Sequence, residues 1–250
     1  KKQYAVPRKT LIDNLEEAVV EEKKIEEMDV VFLMDRFGYA KTVDVSVYER
    51  NKEAADTENR YILTCKNTDK ICIFTNKGQM HLLKVLDLPY GKFRDKGIPI
   101  DNLSNYNSSE ENFIYIINLG AIIHSRLLFG TKTAMLKMVD GSEFDVAKRT
   151  TASTKLNEDD ELLIVHAMTG EETVVMQSEK EMFLRIEAST IPEKKKGAVG
   201  VRGMKLNAGD ALSNIYVLDG ESEQTVEVKG KEVVLNRLRV GNRDTKGTKR

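Results

Sequence analysis

A chain of 250 residues with 40% hydrophobic and 32% charged side chains can bury a real core, which excludes an intrinsically disordered protein. Its formal net charge of −1 excludes a uniformly basic polyanion binder, so any nucleic-acid contact requires segregated charge. The apolar runs are strand-length, far short of the roughly 20 residues that span a bilayer, and the N-terminus has no apolar signal core, so no membrane partner is expected.

Residues 1–27 read as a basic connector and an acidic helix. Pro7-Arg8-Lys9-Thr10 is extended and basic, as in a segment arriving from something larger, and Lys1 is not an initiator methionine, which points to a fragment. Beyond Thr10, Leu11, Leu15, Ala18 and Val19 recur at roughly helical spacing, and acids crowd the first turns, where the helix dipole favours them. Residues 13–29 hold eight acids against Lys23 and Lys24, whereas residues 229–250 hold eight bases against Glu232 and Asp244. Either run alone is most simply a solvated face.

Residues 28–250 read as one all-β domain of repeated hairpins. The first is Val30-Val31-Phe32-Leu33-Met34, a turn through Gly38, then Tyr39-Ala40-Lys41-Thr42-Val43. The second turns at Gly78, between Ile71-Cys72-Ile73-Phe74 and Met80-His81-Leu82-Leu83. A third is expected to turn at Gly141, a fourth near Lys180 and a fifth at Gly230. That spacing, about 48 residues, belongs to four-stranded blades of a propeller-like array. Ile62-Leu63, Ile114-Tyr115-Ile116-Ile117, Leu162-Leu163-Ile164-Val165-His166 and Ile215-Tyr216-Val217-Leu218 supply further strands, giving about five blades. A pair of sandwiches would leave the repetition unexplained.

Cationic loops follow several hairpins. Lys92-Phe93-Arg94-Asp95-Lys96-Gly97 comes after the second, Lys194-Lys195-Lys196-Gly197 after the fourth, and Arg243-Asp244-Thr245-Lys246-Gly247 after the fifth. Each sets cations before a glycine, which permits positive φ and close backbone approach to a phosphate. The third unit keeps Lys148, Arg149 and Lys155 without the glycine, and the first keeps only Arg50 and Lys52. If equivalent loops share one rim of the array, a ring of basic loops follows.

Phe37-Gly38-Tyr39-Ala40-Lys41-Thr42, Ile73-Phe74-Thr75-Asn76-Lys77-Gly78, Arg94-Asp95-Lys96-Gly97-Ile98-Pro99-Ile100 and Gly200-Val201-Arg202-Gly203-Met204-Lys205-Leu206 resemble the C-terminal domain of the A subunit of bacterial type IIA topoisomerases. The resemblance covers essentially the whole chain. It implies a β-pinwheel, in which blades exchange a strand, with a basic perimeter that bends and holds double-stranded DNA without reading sequence. The gyrase A subunit carries there a box of the type Gln-Arg-Arg-Gly-Gly-Arg-Gly after the first hairpin. Here Tyr48-Glu49-Arg50-Asn51-Lys52-Glu53-Ala54-Ala55 has no glycine, so the topoisomerase IV A subunit is the closer resemblance, with a gyrase domain carrying a degenerate box as the alternative.

The expected DNA-binding residues are Lys92, Arg94, Lys96, Lys194, Lys195, Lys196, Arg202, Lys205, Arg243, Lys246 and Lys249. Arg36, Lys41, Lys77 and Lys84 form a secondary set, because lysine beside a hairpin turn is common solubilising decoration. The resemblance implies, as partners, the A-subunit catalytic core and the ATPase B subunit, and places the cleavage tyrosine, magnesium and ATP in other domains. No catalytic residue, metal site or cofactor is therefore expected in this stretch.

His81, His124 and His166 lie in or beside apolar strands and read as structural. Cys65 and Cys72 lack a second pair for zinc or a disulfide framework, and a reducing cytoplasm fits them best. Asp159-Asp160-Glu161 reads as a polar turn before a buried strand, and residues 197–203 form neither a dinucleotide fingerprint nor a Walker loop. The competing reading is a protein-interaction propeller whose basic loops meet an acidic partner.

Overall fold

A computed structural model describes residues 26–250; the expected acidic helix and nearly all of the connector segment lie outside the described residues. The first unit is β1 (Asp29–Asp35), β2 (Tyr39–Asp44), two short helices α1 (Val45–Arg50) and α2 (Lys52–Glu58), and β3 (Asn59–Lys66). The second is β4 (Lys70–Thr75), β5 (Gln79–Lys84), β6 (Ile98–Pro99) and β7 (Phe113–Asn118). After the helical turn α3 (Leu119–Ile122), the third has β8 (Arg126–Thr131), β9 (Met135–Asp140), β10 (Thr150–Ala152) and β11 (Leu162–Met168). The fourth has β12 (Thr173–Ser178), β13 (Met182–Glu187), β14 (Val201–Arg202) and β15 (Leu212–Leu218); the fifth has β16 (Thr225–Val228), β17 (Lys231–Val234) and β18 (Thr248–Lys249).

These strands do not stay within their own units. The sheets run β3-β1-β2-β6, β7-β4-β5-β10, β11-β8-β9-β14 and β15-β12-β13-β18, each antiparallel. Each of the first four blades is thus closed on one edge by a two- or three-residue strand from the next unit. The strand exchange implied by the resemblance is present. Four blades are four-stranded, and the fifth is reduced to the two-stranded hairpin β16-β17. Strands β3, β7, β11 and β15 pack on one another in succession.

Most residues of the first four hairpins are buried along the strand, as in β1 with five consecutive buried residues, because each blade is covered on both faces. Val30, Phe32 and Met34 of blade 1 pack on Ile71, Ile73 and Leu83 of blade 2. Phe74 and Met80 meet Phe129 and Phe144, Leu136 and Met138 meet Val174 and Met176, and Val175 and Phe183 meet Val228 and Leu235. Among the described residues, the outward face of blade 1, Val31, Leu33 and Val43, has no blade against it and is closed by Ala55, Val45 and Tyr48 of the two helices. At about 25 cal/mol per Å² of apolar surface, that small helical lid is what makes a terminal blade tolerable in water.

The turns at Gly38 and Gly78 have positive φ, as glycine permits, and Lys229 and Gly230 are both positive, the signature of a type I′ hairpin. The expected turn at Gly141 is a misreading. The third hairpin turns at residues 132–134, where Ala134 takes φ +62°, and residues 135–140 form its second strand. Gly141 instead begins a 3₁₀ turn, and a Cβ there would stand 1.8 Å from the Ile122 carbonyl oxygen. His81 is buried, with Nδ1 3.0 Å from Thr150 Oγ1 and Nε2 2.8 Å from Glu111 Oε1, so this histidine is structural as expected.

Candidate nucleic-acid interface

Each exchanged strand is delivered by a loop that crosses the second strand of the preceding blade. Thr42 N–H donates to the Pro89 carbonyl at 2.9 Å, Met138 N–H to that of Pro192 at 3.1 Å, and Gly91, Lys194 and Gly241 N–H groups donate back to the carbonyls of Thr42, Met138 and Arg185. Residues 91–97, 194–200 and 241–247 are therefore equivalent. The glycine they share is Gly97, Gly200 and Gly247, where a Cβ would meet the carbonyl oxygens of Ala40 at 2.6 Å, Leu136 at 2.7 Å and Phe183 at 2.8 Å. That alignment corrects the sequence reading. In the 194–200 loop the shared glycine follows Val199, not Lys196, and it exists to let one backbone pack on another. Gly197 has nothing within 4 Å of where its Cβ would stand.

The backbone of this loop faces inward rather than toward a ligand. Lys194 N–H is bound to Met138, Lys196 N–H donates to Glu143 Oε2 at 3.0 Å, and Ala198 N–H donates to the Lys195 carbonyl at 2.9 Å. Beneath it lies Lys137, 1% exposed, whose Nζ donates to the carbonyls of Lys196 and Ala198 at 2.7 Å each and of Lys195 at 3.3 Å. Burial pushes its ammonium down to about 8, against the pull of Glu143, and the Phe129 ring lies 5.5 Å away. Blade 1 repeats the device: Lys41 Nζ donates to the carbonyls of Phe93 and, at 2.8 Å, Asp95. Blade 4 does not: Leu184 holds the position of Lys41 and Lys137, and the next residue, Arg185, reaches the carbonyls of Asn236 and Leu238, ahead of the loop, and, at 2.9 Å, Thr173 Oγ1. Sequence reasoning missed Lys137 and Arg185, and it took Lys41 for a surface cation. The available signal for Lys41 and Lys137 was a lysine three residues after the positive-φ turn residue.

Blade 2 breaks the pattern. Its exchange loop is short, Leu82 N–H donates directly to the Arg149 carbonyl at 2.7 Å, and the position of Lys41 and Lys137 is taken by His81. The expected ring of loops is interrupted there, although Lys70, Lys84, Lys148 and Arg149 line a 270 Å³ cleft on that side.

The sequence-predicted cations differ in freedom. Lys92, Arg94, Lys96, Lys194, Lys205, Lys246 and Lys249 are exposed with no ion pair among the described residues, and Lys96 stacks 4.7 Å above the Tyr39 ring. Arg243 is half-buried and donates to the Arg202 carbonyl at 3.0 Å. Arg202 is held on both oxygens of Asp244, Nη2 to Oδ2 at 3.1 Å, and that arginine depresses the Asp244 carboxyl. Lys195 lies 3.5 Å from Glu143, and Lys196 Nζ donates to the Glu143 carbonyl at 2.8 Å. Lys77 and Lys132 share Glu161, while Asp160 accepts from the Thr133 N–H at 3.0 Å, so the Asp159-Asp160-Glu161 turn ties hairpins together. Arg36 sits over the Phe37 ring at 4.8 Å and Lys84 is exposed.

A cavity of about 580 Å³ lies between α2 and residues 93–97, lined by Tyr39, Lys41, Glu58, Phe93, Arg94 and Lys96 among others. A second, about 540 Å³, lies against residues 238–246 and carries Arg185, Arg239, Lys246 and Arg250 with no acid. Burial raises the Cys65 thiol to about 11 and that of Cys72 to about 12, so neither is a nucleophile at neutral pH. Among the described residues no group of three His, Cys, Asp or Glu is placed to hold a metal ion, and no helix is long and apolar enough to cross a membrane.

Residues 125–167 and 172–219 match the family described as DNA gyrase C-terminal domain, beta-propeller; the two segments are the third and fourth units, from β8 to β11 and from β12 to β15. The chain is 28% identical to the DNA gyrase A subunit of Lawsonia intracellularis over 99% of its own length and 32% of that protein, and 29% identical to that of Staphylococcus epidermidis over 93% and 28%. It thus spans about a third of the length of these relatives. Its fold superposes on the C-terminal domain of a DNA topoisomerase IV with TM-score 0.79 at 22% identity, covering 90% of this chain and 73% of that one. The Escherichia coli ParC C-terminal domain gives 0.72 at 14% identity over 89% and 94%, and a DNA gyrase A C-terminal domain 0.59 at 17% over 88% and 76%. Family match and fold agree with the resemblance read from the short sequence phrases.

Proposed function

We infer that this chain, a C-terminal β-pinwheel domain of the type IIA topoisomerase A-subunit kind, is a non-catalytic module that holds and bends duplex DNA. The observation that carries this is the set of loops at 91–97, 194–200 and 241–247, which share one backbone register and present Lys92, Arg94, Lys96, Lys194, Lys195 and Lys246 to solvent. Their backbone groups are bonded internally, so contact is through long cationic side chains, which suit phosphates and carry no base readout. Smoothly bending 20 to 30 bp by 40 to 90° costs on the order of 1–6 kcal/mol, which several phosphate contacts along a curved rim offset.

In the intact enzyme the module would capture or orient a segment for ATP-dependent strand passage, with the A-subunit core and the ATPase B subunit supplying cleavage and energy. The helical segment of residues 45–58 favours a topoisomerase IV type: it stands where a gyrase box would follow the first hairpin, and it is used to cover Val31, Leu33 and Val43. The gyrase reading is favoured by the 28% and 29% identities to gyrase A subunits. Filter-binding titrations with unrelated duplexes test the module: affinity should fall steeply with salt and vary little with sequence, and absence of duplex binding at low salt overturns the reading. ATP-dependent negative supercoiling by the full enzyme would decide for gyrase; decatenation without it, for topoisomerase IV.

A further inference from the structure

We propose that Lys137 is a positioning residue for the DNA contact: buried beneath the loop of residues 194–200, it draws three of that loop's carbonyls inward and so holds Lys194 and Lys195 on the outer surface. Lys41 does the same for residues 93–95. The inference rests on the DNA-binding reading of these loops.

Three observations support it. Apart from Glu143 and the Met138 carbonyl, which hold the Lys196 and Lys194 N–H groups, Lys137 is the side chain that gathers the loop's carbonyls, while Gly197 stands in open space and the Lys195 side chain is 87% exposed. Carbonyl oxygens crowded on one side would repel a phosphate, and a cation buried among them both satisfies them and cancels that field. Blades 1, 2 and 3 also compare directly at this position. Under the long exchange loops of blades 1 and 3 lies a lysine; blade 4, whose loop is also long, has Leu184 at that position. Where the loop is short, in blade 2, the equivalent residue is His81, whose ring is occupied by Thr150 and Glu111 and touches no loop carbonyl. A lysine retained merely for solubility would not be buried.

The test uses the whole chain with Lys137→Met, which keeps length and removes charge, and Lys137→Arg, which restores a donor. Duplex affinity is measured against salt concentration, and trypsin cleavage after Lys194, Lys195 and Lys196 is timed without DNA. The expected result is about a five- to tenfold loss of affinity for Lys137→Met with the salt slope unchanged, faster cleavage in the loop, and recovery of both in Lys137→Arg. A slope smaller by about 0.9 would make Lys137 a direct phosphate contact and overturn the proposal, as would wild-type affinity with wild-type cleavage. If wild-type protein binds no duplex, the DNA reading fails, while the cleavage rates still decide whether Lys137 shapes the loop. Should Lys137→Met not fold, Lys41→Met decides on the same two measurements, with cleavage read after Lys92, Arg94 and Lys96, since Lys41 is only half-buried.

Discussion

A Cβ on Gly200 would stand 2.7 Å from the carbonyl oxygen of Leu136. The residue has φ +104°, and the exchanged strand Val201–Arg202 starts immediately after it. Gly200→Ala should therefore destabilise by more than about 1 kcal/mol, since the backbone conformation and the contact both oppose a side chain. Gly197→Ala, three residues earlier in open space, should be near neutral. Urea midpoints of the two variants check this, and equal midpoints would refute the assignment of Gly200 as the shared glycine.

Asp244 occupies a residue with φ +62° and grips Arg202 while facing Lys205 and Arg243. Asp244→Asn keeps a residue type that tolerates left-handed backbone and deletes one negative charge from the rim. Duplex affinity at low salt should rise about two- to fivefold, with a steeper salt slope, as Arg202 becomes available. An unchanged slope would mean Arg202 lies off the DNA path.

Glu172 predicts the acid limb of stability. Burial pushes its carboxyl up, but the Thr169 hydroxyl and N–H, each at 2.6 Å, and the Gly170 N–H at 2.7 Å outweigh this and bring it to about 2. Its folded value is below the ordinary 4.5, so its contribution is fully present above about pH 4.5 and is lost as pH falls toward 2. Glu172→Gln should lower stability by about 2 kcal/mol at neutral pH and converge on wild type near pH 2, measured by urea unfolding across that range.

Lys137 predicts the alkaline side, with a slope of the same sign. Its folded value of about 8 lies below the ordinary 10.5, so the unfolded chain binds the extra proton between them and stability rises with pH in that interval. The raised Cys65 and Cys72 thiols oppose this from about pH 9 upward, because the unfolded thiols ionise first. The window is thus pH 8 to 9, where wild type should gain stability relative to Lys137→Met. A parallel course of the two proteins would show that Lys137 does not titrate there.

Much of the blade architecture is legible in residues, and the failures have physical causes. Gly38, Gly78 and Gly230 mark their hairpins because positive φ favours glycine, and Ile114 to Ile117 or Leu162 to His166 read as strands because both faces are apolar. The third hairpin escapes because Ala134 accepts a positive φ that its surroundings impose, leaving Gly141 as a false turn. Strand exchange is not derivable from periodicity, since Ile98–Pro99, Val201–Arg202 and Thr248–Lys249 are too short to show any. The cationic loops are visible as composition, but which of their lysines are free depends on acids distant in sequence, Glu143 for Lys195 and Asp244 for Arg202. Lys137 is invisible for the opposite reason: a lysine in a strand reads as solvent-facing until the carbonyls around it are seen.

The borrowed strands set an order in time. A blade cannot finish when its own hairpin emerges from synthesis; β2 waits for Ile98–Pro99, β9 for Val201–Arg202 and β13 for Thr248–Lys249. The newest hairpin always shows a bare edge, the feature by which nascent β-proteins capture wrong partners. Since each closing strand is two or three residues long, the closing of every blade lags its own hairpin by one unit and rests on few backbone bonds.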